Sequence, residues 1–138
     1  MALIVYTARM SRSWKEDPDA LDVTIKSSRG LAAVFAPDNW EMVMGVKRGT
    51  VPTAGYRDWY LGVLRRSYCQ ERSQWEMLLA RKRAVLMCYC HPWQFCHRHI
   101  LAAVLAKLGA DYRGEILPEG QLLLPSSLQD TAKATPER

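Results

Sequence analysis

The run Ala84-Val85-Leu86-Met87-Cys88-Tyr89 is continuously apolar, with Arg81-Lys82-Arg83 before it and Pro92 shortly after. A strand with no polar alternation has both faces covered, which is the condition of a central strand in a parallel sheet. Helical spacing follows at once in Ile100, Leu101, Val104, Leu105 and Leu108, and Gly109 stands where a left-handed residue would end that helix. A buried strand handing over to a helix therefore organises the rest of the chain.

Around that unit the pattern supplies further elements. Leu3 to Thr7 reads as a buried strand, and the polar, basic stretch Ala8 to Lys15 as an exposed loop. Leu21-Asp22-Val23-Thr24-Ile25-Lys26 alternates as a half-buried strand would, and Ser27 to Gly30 turns the chain. After the short apolar piece Leu31 to Ala36, Asp38 or Asn39 can cap a helix starting near Trp40. Trp59, Tyr60, Val63 and Leu64, then Trp75, Leu78 and Leu79, predict two helices or one broken helix. Asp111 to Leu117 offers a strand and Leu122-Leu123-Leu124 an edge strand. The alternation of strand and helix predicts an α/β fold, an open and mainly parallel sheet flanked by helices. At 138 residues it fits a single domain, taken as 1–124, with 125–138 as a small, polar, poorly ordered tail.

Composition narrows the function classes. No apolar run approaches the ~18 residues of a membrane span, and the short apolar opening lacks a basic leader, so a soluble, unexported protein is expected. Cys69, Cys88, Cys90 and Cys96 are not spaced as a disulfide framework, which suits reduced thiols in a cytoplasm. The net charge of +5 and pI near 9.2 favour anionic partners, but the basic residues form no long block. Nucleic acid is accordingly the lesser alternative, since Trp59, Tyr60 and Trp75 also read as core.

The segment Cys90-His91-Pro92-Trp93-Gln94-Phe95-Cys96-His97-Arg98-His99 falls where open α/β sheets collect ligands, at the carboxyl end of a strand and the start of a helix. Unpaired backbone N–H groups there attract an anion, and Arg98 would add a guanidinium fork facing solvent. The same field lowers a thiol pKa, so Cys96 is a candidate nucleophile, against the plainer reading of a small buried residue. Zinc is the alternative for Cys88, Cys90, Cys96, His91, His97 and His99, but the paired C-x2-C knuckle is missing, so neither metal nor cofactor is assigned. Walker, dinucleotide and Ser-His-Asp signatures are absent, and Arg98 is wrongly spaced for a phosphatase-type cysteine loop.

Leu86-Met87-Cys88-Tyr89-Cys90, Phe95-Cys96-His97-Arg98, Leu101-Ala102 and Tyr112-Arg113-Gly114-Glu115 resemble the family called domain of unknown function 488, in the short form common among bacteriophages and bacteria. The likeness extends through Leu21 to Ser27, Phe35-Ala36-Pro37, Trp40-Glu41 and Tyr56 to Tyr60. It implies a Rossmann-like sheet and a ligand or catalytic site at Cys96, His97 and Arg98, with Asp22 and Lys26 as acidic and basic partners on the second strand. The expected function is binding of a small anionic, nucleotide-derived ligand by Thr7, Arg9, Ser11, Arg12, Lys26, Cys96, His97 and Arg98. Cys96, His97, Asp22 and Glu115 are the catalytic candidates. Sequestration by a phage counter-defence protein and catalysis on a nucleotide or its glycosidic bond are the two versions of that function, and a zinc- or nucleic-acid-binding accessory protein is the third.

Overall fold

The computed structural model describes residues 2–25, 27–90 and 95–126. Lys26, the segment 91–94 with His91, and the tail from 127 onward lie outside the described residues.

The sheet has five strands in the order β2-β3-β1-β4-β5. β1 (Ile4–Arg9) pairs in parallel with β3 (Arg83–Cys88) on one side and β4 (Asp111–Ile116) on the other. β2 (Ala20–Asp22) extends the parallel set beside β3, and β5 (Leu122–Leu123) closes the far edge antiparallel to β4. The run from Ala84 to Cys88 is buried along its whole length, as its unbroken apolar character requires. It is an interior strand, and β1 takes the centre of the sheet.

Alternation along the strands sorts side chains into two cores. Leu3, Val5, Ala84 and Leu86 face the larger one, which α2 (Trp40–Arg48), α3 (Thr53–Gln70), α4 (Arg72–Leu79) and α5 (His97–Lys107) complete with Val43, Tyr56, Tyr60, Trp75, Leu78, Leu101 and Leu105. Ala8, Val85 and Met87 face the other side, where Trp14 of the single-turn α1 (Arg12–Lys15) packs with Met10 and Tyr6. Tyr60 and Trp75 are core residues with no exposed surface, and Tyr60 donates its hydroxyl to the Phe35 carbonyl at 2.6 Å.

Several boundaries differ from the sequence reading, each for a local reason. β1 runs on to Arg9, so Ala8 and Arg9 are strand residues, not loop residues. β2 stops at Asp22 because that carboxylate accepts from the Thr24 backbone N–H at 2.9 Å and the Thr24 hydroxyl at 2.6 Å, turning the chain. Gly30–Phe35 is a 3-10 helix. Asn39 caps α2 by accepting from the backbone N–H groups of Glu41 and Met42, and Gly109, at φ 108°, follows the end of α5 as its spacing implied. Among the described residues no helix is long and apolar enough to cross a membrane.

Candidate functional site

Three elements converge at the carboxyl edge of the sheet. β3 ends in Cys88, β1 sets Thr7 opposite Leu86 on the same face as Cys88, and α5 begins at His97 with Cys96 as its extended N-cap residue. On the helix-covered face the side chains of these elements meet those of β4. The register between β1 and β4 shifts after Val5, which lies opposite Tyr112, so that Tyr6 meets Gly114 and Thr7 meets Glu115. Simple alternation would put Tyr112 and Glu115 on opposite faces; the extra residue puts both on the face that Thr7 occupies.

The result is a buried polar network. Arg98 has no exposed surface, and its Nε and one terminal nitrogen donate to the two Glu115 oxygens at 3.2 and 2.9 Å. Its other terminal nitrogen donates to Cys88 Sγ at 3.1 Å. His99 Nε2 donates to Glu115 Oε1 at 2.9 Å, and Thr7 and Tyr112 share a hydrogen bond of 2.8 Å. Burial alone would raise the Glu115 pKa, but the bonds from His99 and Arg98 outweigh it and hold the carboxyl below its ordinary value. Burial, opposed by Glu115, pushes His99 down, so it stays neutral.

Next to this network lie the thiols. Cys88 and Cys96 Sγ are 2.7 Å apart, and the Cys90 backbone N–H donates to Cys88 Sγ at 3.5 Å. Burial works against a Cys96 thiolate, yet hydrogen bonds from Cys88 and Cys90 and the field of Arg98 hold its pKa well below the ordinary thiol range. The same bonds, seen from Cys90, push that thiol up and keep it protonated. His97 is 7% exposed, and its Nε2 donates to the Val23 carbonyl at 2.7 Å. A carbonyl only accepts, so the proton sits on Nε2 and the Nδ1 lone pair is left toward Cys96 Sγ, 3.8 Å away. Burial lowers the His97 pKa, with Arg98 and Lys47 adding to the effect.

Cys96 and His97 border a cleft of about 20 Å³, whose walls include Lys47, Tyr56, Cys90 and Phe95. That is room for a water-sized body. Tyr56 packs edge-on to Phe95 and Arg57 lies 5.3 Å from the Phe95 ring centroid, so a second cation stands near the opening.

Of the residues singled out from sequence, the structure brings together Thr7, Cys96, His97, Arg98 and Glu115. Arg98 is a correction: it was expected to face solvent as the anion's fork, but it is sealed below the cleft with its charge matched by Glu115. Asp22 ends β2 and caps the following turn, its oxygens accepting from Thr24 and Ser27. Arg9 donates to the Tyr89 carbonyl at 3.2 Å from an exposed position. Ser11 and Arg12 open α1, the element whose Trp14 packs on the opposite face of the sheet. Lys26 lies outside the described residues. Lys47, Tyr56 and Tyr112 were missed. The first two belong to helices whose apolar spacing gives no sign of which turn meets the strand ends, and the third depends on the β4 irregularity.

A profile described as the active DUF488-N3 subclade matches residues 31–109, more than half of the chain. That span includes Cys88, Cys90, Cys96, His97 and Arg98 and leaves out Thr7, Tyr112 and Glu115. No curated protein and no solved structure matches the chain.

Proposed function

Because the chain belongs to the domain of unknown function 488 family, and because its thiol and imidazole border a cation-rimmed cleft, we propose that it holds a small anionic, nucleotide-derived ligand there. The observation that carries this reading is Lys47 at the cleft beside a His97 that burial keeps neutral. Among the described residues Lys47 makes no ion pair, whereas Arg98 is paired with Glu115. With about 20 Å³ available, only the acidic end of the ligand enters, as a phosphoryl or carboxylate oxygen would. The base and sugar lie outside, toward Phe95 and Arg57. Of the three aromatics weighed for stacking bases, Tyr60 and Trp75 are buried and Trp59 is half-buried, which supports nucleic acid less.

A second reading, catalysis on that ligand, is favoured by the Cys96–His97 pair, in which the Nδ1 lone pair lies 3.8 Å from the sulfur. In a reducing cytoplasm, which four free cysteines suit, both groups would remain available.

Equilibrium dialysis against a panel of nucleotides tests binding, followed by denaturation and analysis of what was bound. Unchanged nucleotide supports sequestration, of the kind a phage protein would use against a host signal, and a new product supports catalysis. Lys47→Ala should weaken binding about 10-fold or more, the scale of one charge-assisted contact, with the melting temperature unchanged. Equal affinity in the two proteins would remove the cleft from consideration.

A further inference from the structure

We propose that Cys88, Cys96 and His97 hold one soft divalent metal ion of the zinc class, with a fourth coordination position open to the cleft. The three side chains are buried, and their Sγ, Sγ and Nδ1 atoms all lie within 4.8 Å of one another. Two thiols and an imidazole form a donor set that selects zinc and its neighbours over magnesium or calcium, which take oxygen ligands.

The arrangement around the donors is that of a prepared ligand set. The Val23 carbonyl fixes the His97 tautomer that leaves Nδ1 unprotonated, the orienting contact metal-bound histidines commonly make. Arg98 and the Cys90 backbone N–H both donate to Cys88 Sγ, as groups stabilising a metal-bound thiolate would. With bonds of about 2.3 Å to sulfur and 2.0–2.1 Å to nitrogen, tetrahedral zinc spaces its ligand atoms roughly 3.5–3.8 Å apart. Cys96 Sγ and His97 Nδ1, at 3.8 Å, already meet that spacing. Cys88 and Cys96, at 2.7 Å, must spread by about 1 Å, a movement small enough for side-chain rotation at the strand end. Any thiol proton still present leaves to solvent as its metal–sulfur bond forms.

Cys90 lines the cleft and hydrogen-bonds both other thiols, but it lies outside the three-atom cluster. Among the described residues the cluster supplies three donors, and three protein ligands with an open position is the plan of a reactive zinc centre, whereas four would make a closed structural one. The identity of what fills the fourth position rests on the anion reading above: the acidic end of the ligand would bind the ion beside Lys47. The metal assignment itself does not depend on it.

The test uses the full chain, equilibrated with zinc chloride under reducing conditions, desalted and assayed for metal, then repeated with cobalt(II). Wild type and Cys90→Ser should each retain about one zinc per chain, and Cys96→Ser and His97→Ala should retain little. In the unsubstituted protein cobalt should give a thiolate-to-metal charge-transfer band and tetrahedral d–d bands, a readout that survives if a variant fails to fold. Absence of retained zinc, or cobalt bound without the thiolate band, overturns the proposal. Loss of zinc from Cys90→Ser overturns the open three-ligand assignment in particular. Inorganic phosphate added to the cobalt protein should shift the d–d bands; metal retained with no phosphate response counts against the anion reading and leaves the metal site standing.

Discussion

Withdrawing the Arg98 guanidinium from water costs several kcal/mol before any partner is counted, and the two contacts to Glu115 together with the sulfur of Cys88 offset that cost. Such a charge contributes little to net stability while paired, yet removing its partner leaves it stranded. Glu115→Gln keeps the shape and removes the counter-charge, so it should destabilise by about 3–5 kcal/mol in urea unfolding. Arg98→Ala should be comparably harmful, as the solvent-facing guanidinium expected from the sequence would not be. The pair also sets an acid limit. The Glu115 pKa is lower in the folded state than in the unfolded chain, so the stability it brings is complete above the unfolded value of about 4.3 and fades as pH falls through the folded value. Melting temperatures of wild type should therefore drop below about pH 4.3, and Glu115→Gln should lack that part of the slope. Equal slopes in both would assign the acid sensitivity to other carboxylates.

The elements divide by how far periodicity could see them. α5 was legible because Ile100, Leu101 and Leu105 repeat at helical spacing and are all buried, with Gly109 positioned to leave the helix. Leu101, with no exposed surface, should lose about 2–5 kcal/mol on substitution by alanine, read as a lower denaturant midpoint at unchanged slope. β4 was visible as a strand, but its functional geometry was not, because alternation alone cannot show an inserted residue. Glu115 was recognised as a chemically capable group; that it faces Arg98 follows from the register shift, which no pattern of apolar residues announces. Gly114 sits at that shift with φ 131°, and a β-carbon there would come within 2.2 Å of the Leu123 carbonyl oxygen on β5. Gly114→Ala should cost roughly 1–3 kcal/mol from backbone conformation alone, with the clash adding to it. Hydrogen exchange should show the β4–β5 amides losing protection first, and a variant with undisturbed β5 amides would show that the close approach is relieved elsewhere.

At the scale of the whole molecule the two faces of the sheet are unequal. The four longer helices build one deep core, while the other face is covered chiefly by Trp14 and its neighbours over Ala8, Val85 and Met87. The apolar run of β3 revealed that both faces of that strand are covered, but not by what. A four-residue helix holds too few positions to show a period, so the stretch from Ala8 to Lys15 read as a loop and its basic residues as ligand contacts. The same unevenness places the site: the thiols, His97, Arg98 and Glu115 all collect under the thick layer, where burial gives their interactions weight, and α1 contributes none of them. Trp14 is half-buried, so Trp14→Ala forfeits only part of a tryptophan's contact area and should destabilise by about 1–2 kcal/mol, less than Leu101→Ala. It should also leave nucleotide binding and metal retention unchanged, because no side chain of the cleft rests on that face. A Trp14 variant that unfolds as readily as the Leu101 variant, or that loses the ligand, would mean that the thin layer also supports the site.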